Sequence, residues 1–126
     1  MEDCDASGSL SVSFGDSTTA SGSASFAMGN TCHAEGDYSV SFGSESYATG
    51  NYSFATGENS SASGTFSVSL GGYNKSKNDS EFSAGYGNVS TKNSDTFGDS
   101  ENTLFSIGNG EYNEYGENPH NAFEIK

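Results

Sequence analysis

The sequence predicts an all-β solenoid, a coil of short strands that completes one turn every fourteen residues. Three observations carry this. Ten glycines, Gly8, Gly15, Gly22, Gly29, Gly36, Gly43, Gly50, Gly57, Gly64 and Gly71, each follow the last by seven residues. A residue without Cβ bends at little steric cost, so a constant glycine interval predicts a backbone that turns at a constant interval. Between glycines, apolar and small polar residues alternate, the period-two pattern of a strand with two unlike faces. Finally, the seven-residue units fall into two kinds that alternate, so the repeat is fourteen residues and its positions line up in columns.

The first half of each repeat reads GSLSVSF from Gly8, GSASFAM from Gly22, GDYSVSF from Gly36, GNYSFAT from Gly50 and GTFSVSL from Gly64. These align Val12, Phe26, Val40, Phe54, Val68 and Phe82, with Phe14, Met28, Phe42, Thr56, Leu70 and Ala84 two residues on. Where the first column is Val the second is bulky, and where the first is Phe the second tends to shrink; a packed surface needs such complementary volumes. Just before the first column runs Ser11, Ser25, Ser39, Ser53 and Ser67, and the second half contributes Ala20, Ala34, Ala48 and Ala62. A fourteen-residue coil sets two thin strands back to back, so small side chains somewhere inside are a geometric necessity. Two arrangements satisfy this: the Val/Phe column fills the coil, or small residues line it and the large ones meet neighbouring chains. A helical heptad fails, because Ser, Thr, Gly and β-branched residues dominate and glycine recurs where it would break a helix.

Along the chain, Asp3, Cys4, Asp5, Ala6 and Ser7 fit the second half of a repeat, and Lys126 falls in mid-strand. The chain therefore reads as a piece of a longer fibre, with Met1 added to it. After Gly71 the register decays: Asn78 and Lys92 stand where glycine is expected, and Gly98 comes one residue early. Asn78 can still take a left-handed turn. The expected division is repeats over 1–99, irregular after about 75, and a closing β segment over 100–126, since repeat ends need atypical caps. Within that segment, strands are expected near 103–107 and 122–125, joined by a polar loop around 110–120.

Composition narrows the chemistry. Hydrophobic residues make up 31% of the 126 and the formal net charge is −13, which would ordinarily indicate disorder. Registered columns overrule that, and a thin rod burying little per chain points to association as a source of stability. Four lysines and no arginine supply no basic patch, so nucleic acid is excluded as a partner. Asp16, Asp37, Glu45, Glu58, Asp79, Glu81 and Asp99 are expected at or beside turns, solvated. Cys4 and Cys32 share a column two turns apart, about 9.6 Å at a strand spacing of about 4.8 Å, too far for a disulfide. His33 and His120 lack partners at metal spacing, and no serine has a triad around it. No catalytic, cofactor or metal site is expected, and no signal peptide or membrane-inserting segment is visible.

The units SVSFG, SFAMG and SFATG, followed by TTASG, HAEG, YATG and SASG, resemble the head repeats of YadA-type trimeric autotransporter adhesins, which also occur in bacteriophage tail fibres and tail-associated proteins. The resemblance spans about 6–98. It implies a left-handed parallel β-roll of fourteen residues per turn, three such chains side by side as a homotrimer, and an extracellular place on a phage tail or bacterial surface. The tail LFSIGNGEYNEYGENPHNAFEIK is similar to segments that close such repeats in phage tail and gut-bacterial surface proteins, which favours a phage or prophage fibre.

The expected function is a structural and adhesive segment of a trimeric fibre, not an enzyme, binding a cell-surface protein or glycan receptor. Candidate contacts are Tyr38, Tyr47, Tyr52, Tyr112 and Tyr115. Phe66 shares the Tyr38/Tyr52 column, whose rings either stack on sugars or shield strand edges. Tyr47 belongs to a varied column with Thr19, His33, Ser61 and Lys75. The alternatives are an ice-binding or cation-binding solenoid, against which stand the lack of regular threonine pairs and of GGxGxD repeats, and a polysaccharide-degrading fibre domain, for which no paired carboxylates stand out.

Overall fold

The computed structural model describes residues 3–92, 99–113, 116–118 and 120–126, with side chains omitted for 111–113 and 116–118. The described residues contain strands and turns and no helix, forming a β-solenoid of about 5 turns with ~14 residues per turn. Each repeat gives one five-residue strand from its first half: β1 (Val12–Asp16), β3 (Phe26–Asn30), β5 (Val40–Ser44), β7 (Phe54–Glu58), β9 (Val68–Gly72) and β11 (Phe82–Tyr86). The second half gives a two-residue strand: β2 (Thr19–Ala20), β4 (His33–Ala34), β6 (Tyr47–Ala48), β8 (Ser61–Ala62) and β10 (Lys75–Ser76). The long strands pair in parallel, each paired residue opposite its equivalent fourteen later, as in Val12 with Phe26 and Phe26 with Val40. The short strands do the same, as in Ala34 with Ala48.

The larger sheet runs on past the repeats. β12 (Phe105–Asn109) lies parallel to β11, with Phe82 opposite Phe105, and β15 (Asn121–Ile125) closes the sheet antiparallel to β12. Where a polar loop was expected, β13 (Glu111–Asn113) and β14 (Gly116–Asn118) form a second antiparallel pair. Their Asn, Glu and Gly content lacks the apolar alternation by which a strand is recognised in sequence. Gly98 lies outside the described residues.

Of the two possible interiors, the structure has the small one. Ala20, Ala27, Ala34, Ala48, Ala55 and Ala62 are wholly inaccessible to solvent, as are Ser39, Ser41, Ser46, Ser67 and Ser69. The larger side chains of the long strands point outward: Phe26, Val40, Phe54 and Val68 are half-buried, and Phe14 is 58% exposed. Such a core offers few methyl groups, so the hydrogen-bond ladders of the two sheets, repeated every coil, carry much of the cohesion. Inside, hydroxyls bridge the walls: Ser41 Oγ lies 2.6 Å from Ser46 Oγ, and Ser46 Oγ donates to Cys32 Sγ of the coil before at 3.3 Å.

The glycines prove to be of two kinds. Gly15, Gly29, Gly43, Gly57 and Gly71 have φ of 111–138°, whereas Gly8, Gly22, Gly36, Gly50 and Gly64 do not have positive φ. All ten share another constraint: a Cβ on any of them would run into the carbonyl oxygen fourteen residues later. The left-handed turns themselves fall two residues after each of these seven-residue positions, whether glycine or, as at Asn78, not. Leu10, Ala24, Tyr38, Tyr52, Phe66 and Ser80 take φ of 52–61° there, and Asp3, Ser17, Thr31, Glu45, Asn59 and Tyr73 take 50–55°. Residues with Cβ are strained in this region. Ala24→Gly is accordingly expected to raise stability by about 0.5–1 kcal/mol, seen as a higher urea midpoint; an unchanged or lower midpoint would show that the turn stores no such strain.

Candidate recognition surface

Because the coils are in register, residues at one left-handed turn position stack along the rod. Tyr38 and Tyr52 lie ring over ring at a centroid distance of 4.9 Å and 7°, and Tyr52 and Phe66 at 4.9 Å and 15°. The ring spacing equals the strand spacing of about 4.8 Å, so the fold sets it, and it falls in the favourable range for aromatic pairs. The three remain 55%, 51% and 58% exposed, a continuous aromatic edge. At three of these turns the side chain of the preceding residue ties it to the coil before. Asp37 Oδ1 accepts the Ser23 N–H at 2.9 Å, Asn51 Oδ1 the Asp37 N–H at 3.0 Å, and Asp79 Oδ1 the Thr65 N–H at 2.8 Å.

Of the five tyrosines singled out from the sequence, the structure brings Tyr38 and Tyr52 together. Tyr47 sits apart on the smaller sheet, half-buried and stacked on His33 at 5.0 Å and 10°, with Glu35 Oε1 3.6 Å from His33 Nδ1. Tyr112 belongs to β13, its side chain outside the described set, and Tyr115 lies outside the described residues. Phe66 completes the ladder. Its rings stop at Ser80, which the column already shows in the sequence.

A second surface lies on the larger sheet. Val12, Phe14 and Met28 are 47%, 58% and 41% exposed, and behind them Phe42 packs edge-to-face on Phe26 at 5.4 Å and on Phe54 at 6.1 Å. So much apolar surface on one face of a rod is the mark of an interface.

The end of the stack corrects two expectations. Glu81 is not solvated: it occupies the interior column of Ser25, Ser39, Ser53 and Ser67 and is wholly buried. In earlier coils two successive N–H groups converge on one carbonyl of the next coil, as Ser63 and Gly64 do on Ser76 O. Lys77 and Asn78 instead donate to Glu81 Oε2 at 2.9 and 3.0 Å, joined by Asn78 Nδ2 at 2.9 Å and Ser90 Oγ at 2.8 Å. The carboxyl stands in for the missing coil. Burial pushes its pKa up, against the pull of these hydrogen bonds. Nor does Asn78 take a left-handed turn. Its side chain bonds into the end of the stack, with Nδ2 also donating to Thr91 O and Thr103 O at 2.9 Å. Asn88 acts likewise, accepting the Lys75 N–H at 2.6 Å and donating to Lys75 O at 2.8 Å, as a strand would.

Cys4 and Cys32 are free thiols. The Thr18 hydroxyl, 3.3 Å from Cys4 Sγ, lowers the pKa of that thiol. Among the described residues no three His, Cys, Asp or Glu side chains gather as a metal site, and no helix is long and apolar enough to cross a membrane.

An in-register solenoid with one apolar face and one aromatic edge is a repeat protein in design. The model of the YadA head domain repeat (2 copies) matches residues 6–31, 34–57 and 48–74, more than half of the chain, which therefore belongs to that family. The family is an adhesin-type structural one whose domains are generally surface-exposed and trimeric. No curated protein and no solved structure matches the chain.

Proposed function

We propose that the chain is a structural and adhesive segment of a trimeric fibre, projecting from a phage tail or a bacterial surface and contributing to attachment to a host or receptor. The observation that carries this is the outward apolar face of the larger sheet. A fold whose interior is alanine and serine has its large side chains outside, and side-by-side packing of three chains on Val12, Phe14, Met28 and Phe42 buries them. The aromatic edge of Tyr38, Tyr52 and Phe66 then repeats three times around the rod, and multivalent contact turns weak single sites into firm attachment. In this reading 1–99 form the repeat rod and 100–126 close it, the last strand and the side chains of Glu81, Asn78 and Asn88 covering the final coil. The net charge of −13 keeps a repetitive, strand-rich rod soluble.

Sedimentation equilibrium tests the assembly. The expected mass is three times the 13.0 kDa chain, and Phe14→Asp should weaken association by at least about tenfold while the circular dichroism of the coil is retained. A monomer at micromolar concentration would overturn the trimer, and an unaffected Phe14→Asp trimer would move the interface elsewhere.

A further inference from the structure

The aromatic ladder ends abruptly. Tyr52 covers the ring of Tyr38 and Phe66 that of Tyr52, but the next turn position carries Ser80, so among the described residues no ring covers the outer face of Phe66. An open depression of about 340 Å³ lies there, lined among the described residues by Thr65, Phe66, Asp79 and Ser80, within the size range of about 300–1,000 Å³ typical of small-molecule sites. Its floor is a flat apolar ring that is 58% exposed. Its rim is polar and held in place. Asp79 is fixed through Oδ1 by the Thr65 N–H at 2.8 Å, which leaves Oδ2 as an acceptor, and the Ser80 hydroxyl both donates and accepts. Ser80 shares the left-handed backbone of Phe66, with φ of 61° against 59°, so the missing ring is a change of side chain and not of chain path.

We propose that this gap binds one pyranose unit of a neutral glycan, its C–H face stacked on Phe66 and its hydroxyls bonded to Asp79 and Ser80. A pyranose fits because a single ring of about one coil's thickness offers both an apolar face and a rim of hydroxyls that donate and accept. An arginine side chain would match the face and the carboxylate but brings donors only. An aromatic ring would leave Asp79 Oδ2 unused. An anionic sugar is disfavoured by the net charge of −13. The inference deepens the adhesive reading and rests on it, naming the chemistry of the receptor contact and placing it at the end of the ladder.

The test is a titration of the full ¹⁵N-labelled chain with methyl β-glucopyranoside, methyl β-galactopyranoside and N-acetylglucosamine, followed by amide shifts and by saturation transfer to the sugar. Saturable shifts centred on Thr65, Phe66, Asp79 and Ser80 are expected with at least one of the three. Phe66→Ala should weaken that binding by at least about tenfold. Ser80→Phe should abolish it by placing a ring in the gap, and its amide spectrum elsewhere should be unchanged, since Tyr52 and Phe66 already occupy this turn conformation. Absence of saturable shifts with all three sugars overturns the proposal. So does binding that survives in Ser80→Phe, or a response to arginine ethyl ester or N-acetyltyrosinamide with none to the sugars. A trimer that adheres to cells without binding pyranosides sinks this inference alone; a monomer that binds them sinks the fibre reading alone.

Discussion

Gly36→Ala is expected to destabilise the chain by about 3 kcal/mol or more, or to prevent its folding. The cause is steric and lies outside the residue's own turn. A Cβ at this position would collide with the carbonyl oxygen of Gly50 and lie 2.9 Å from Asn51 N, both backbone atoms of the next coil. A flexible side chain would move aside, but the neighbouring backbone is held by its own ladder, with Gly36 N–H donating to Ala48 O and Ser53 N–H to Gly50 O. Relief therefore requires opening the stack, and overpacking that displaces backbone belongs to the costly class of substitutions. Urea unfolding followed by circular dichroism measures it. Had glycine been needed only for a left-handed φ, Gly36→Ala would be tolerated, because φ here is not positive. A loss below about 1 kcal/mol would thus show that the coils are not packed this tightly.

Glu81→Ala should cost about 3–5 kcal/mol, because it strands the Asn78 N–H and the Ser90 hydroxyl in a buried site and leaves the Lys77 N–H only a 3.4 Å bond to Ser90 Oγ. Glu81→Gln keeps an acceptor at the Oε2 position and should cost far less. The pair also reports on pH. Four donors converge on Oε2, whereas Oε1 is buried without a partner. A proton on Oε1 therefore leaves Oε2 as the carbonyl-like acceptor that the end of the stack requires. The folded-state pKa is raised above that of the unfolded chain. The contribution of the protonated form is then fully present below the ordinary carboxylate range and is lost as pH rises through the raised folded value. Urea midpoints of wild type and Glu81→Gln across that range should diverge as pH rises, the variant gaining relative to wild type. A difference independent of pH would show that Glu81 ionises in the fold without penalty.

These two positions show how far the sequence could be read. Gly36 was visible as one of a ladder, and the ladder alone gave the coil, its length and its register, because a seven-residue glycine interval and a period-two alternation leave the chain few other regular conformations. Glu81 was misread for a reason equally physical. A carboxylate beside a turn is ordinarily solvated, and nothing local says that the stack ends one coil later and leaves N–H groups in search of an acceptor. The aromatic edge was half legible: the column of Tyr38, Tyr52 and Phe66 is plain in the aligned repeats, but the open face over Phe66 depends on what stands beside Ser80 in space. Tyr47 looked equivalent to these in the sequence and is not. Its column runs along the smaller sheet, where His33 stacks on one face and half its surface is covered.

What the sequence determined by itself is periodic: all-β class, fourteen residues per turn and parallel register, since each follows from spacing that a single chain displays along its length. What only the tertiary structure decided is which way side chains point and what crosses each backbone atom. Small residues fill the coil because two strands back to back leave no room for more, and that turns the Val and Phe columns outward. Glycine is required because the next coil's carbonyl passes where a Cβ would be, a contact between residues fourteen apart that no local propensity encodes.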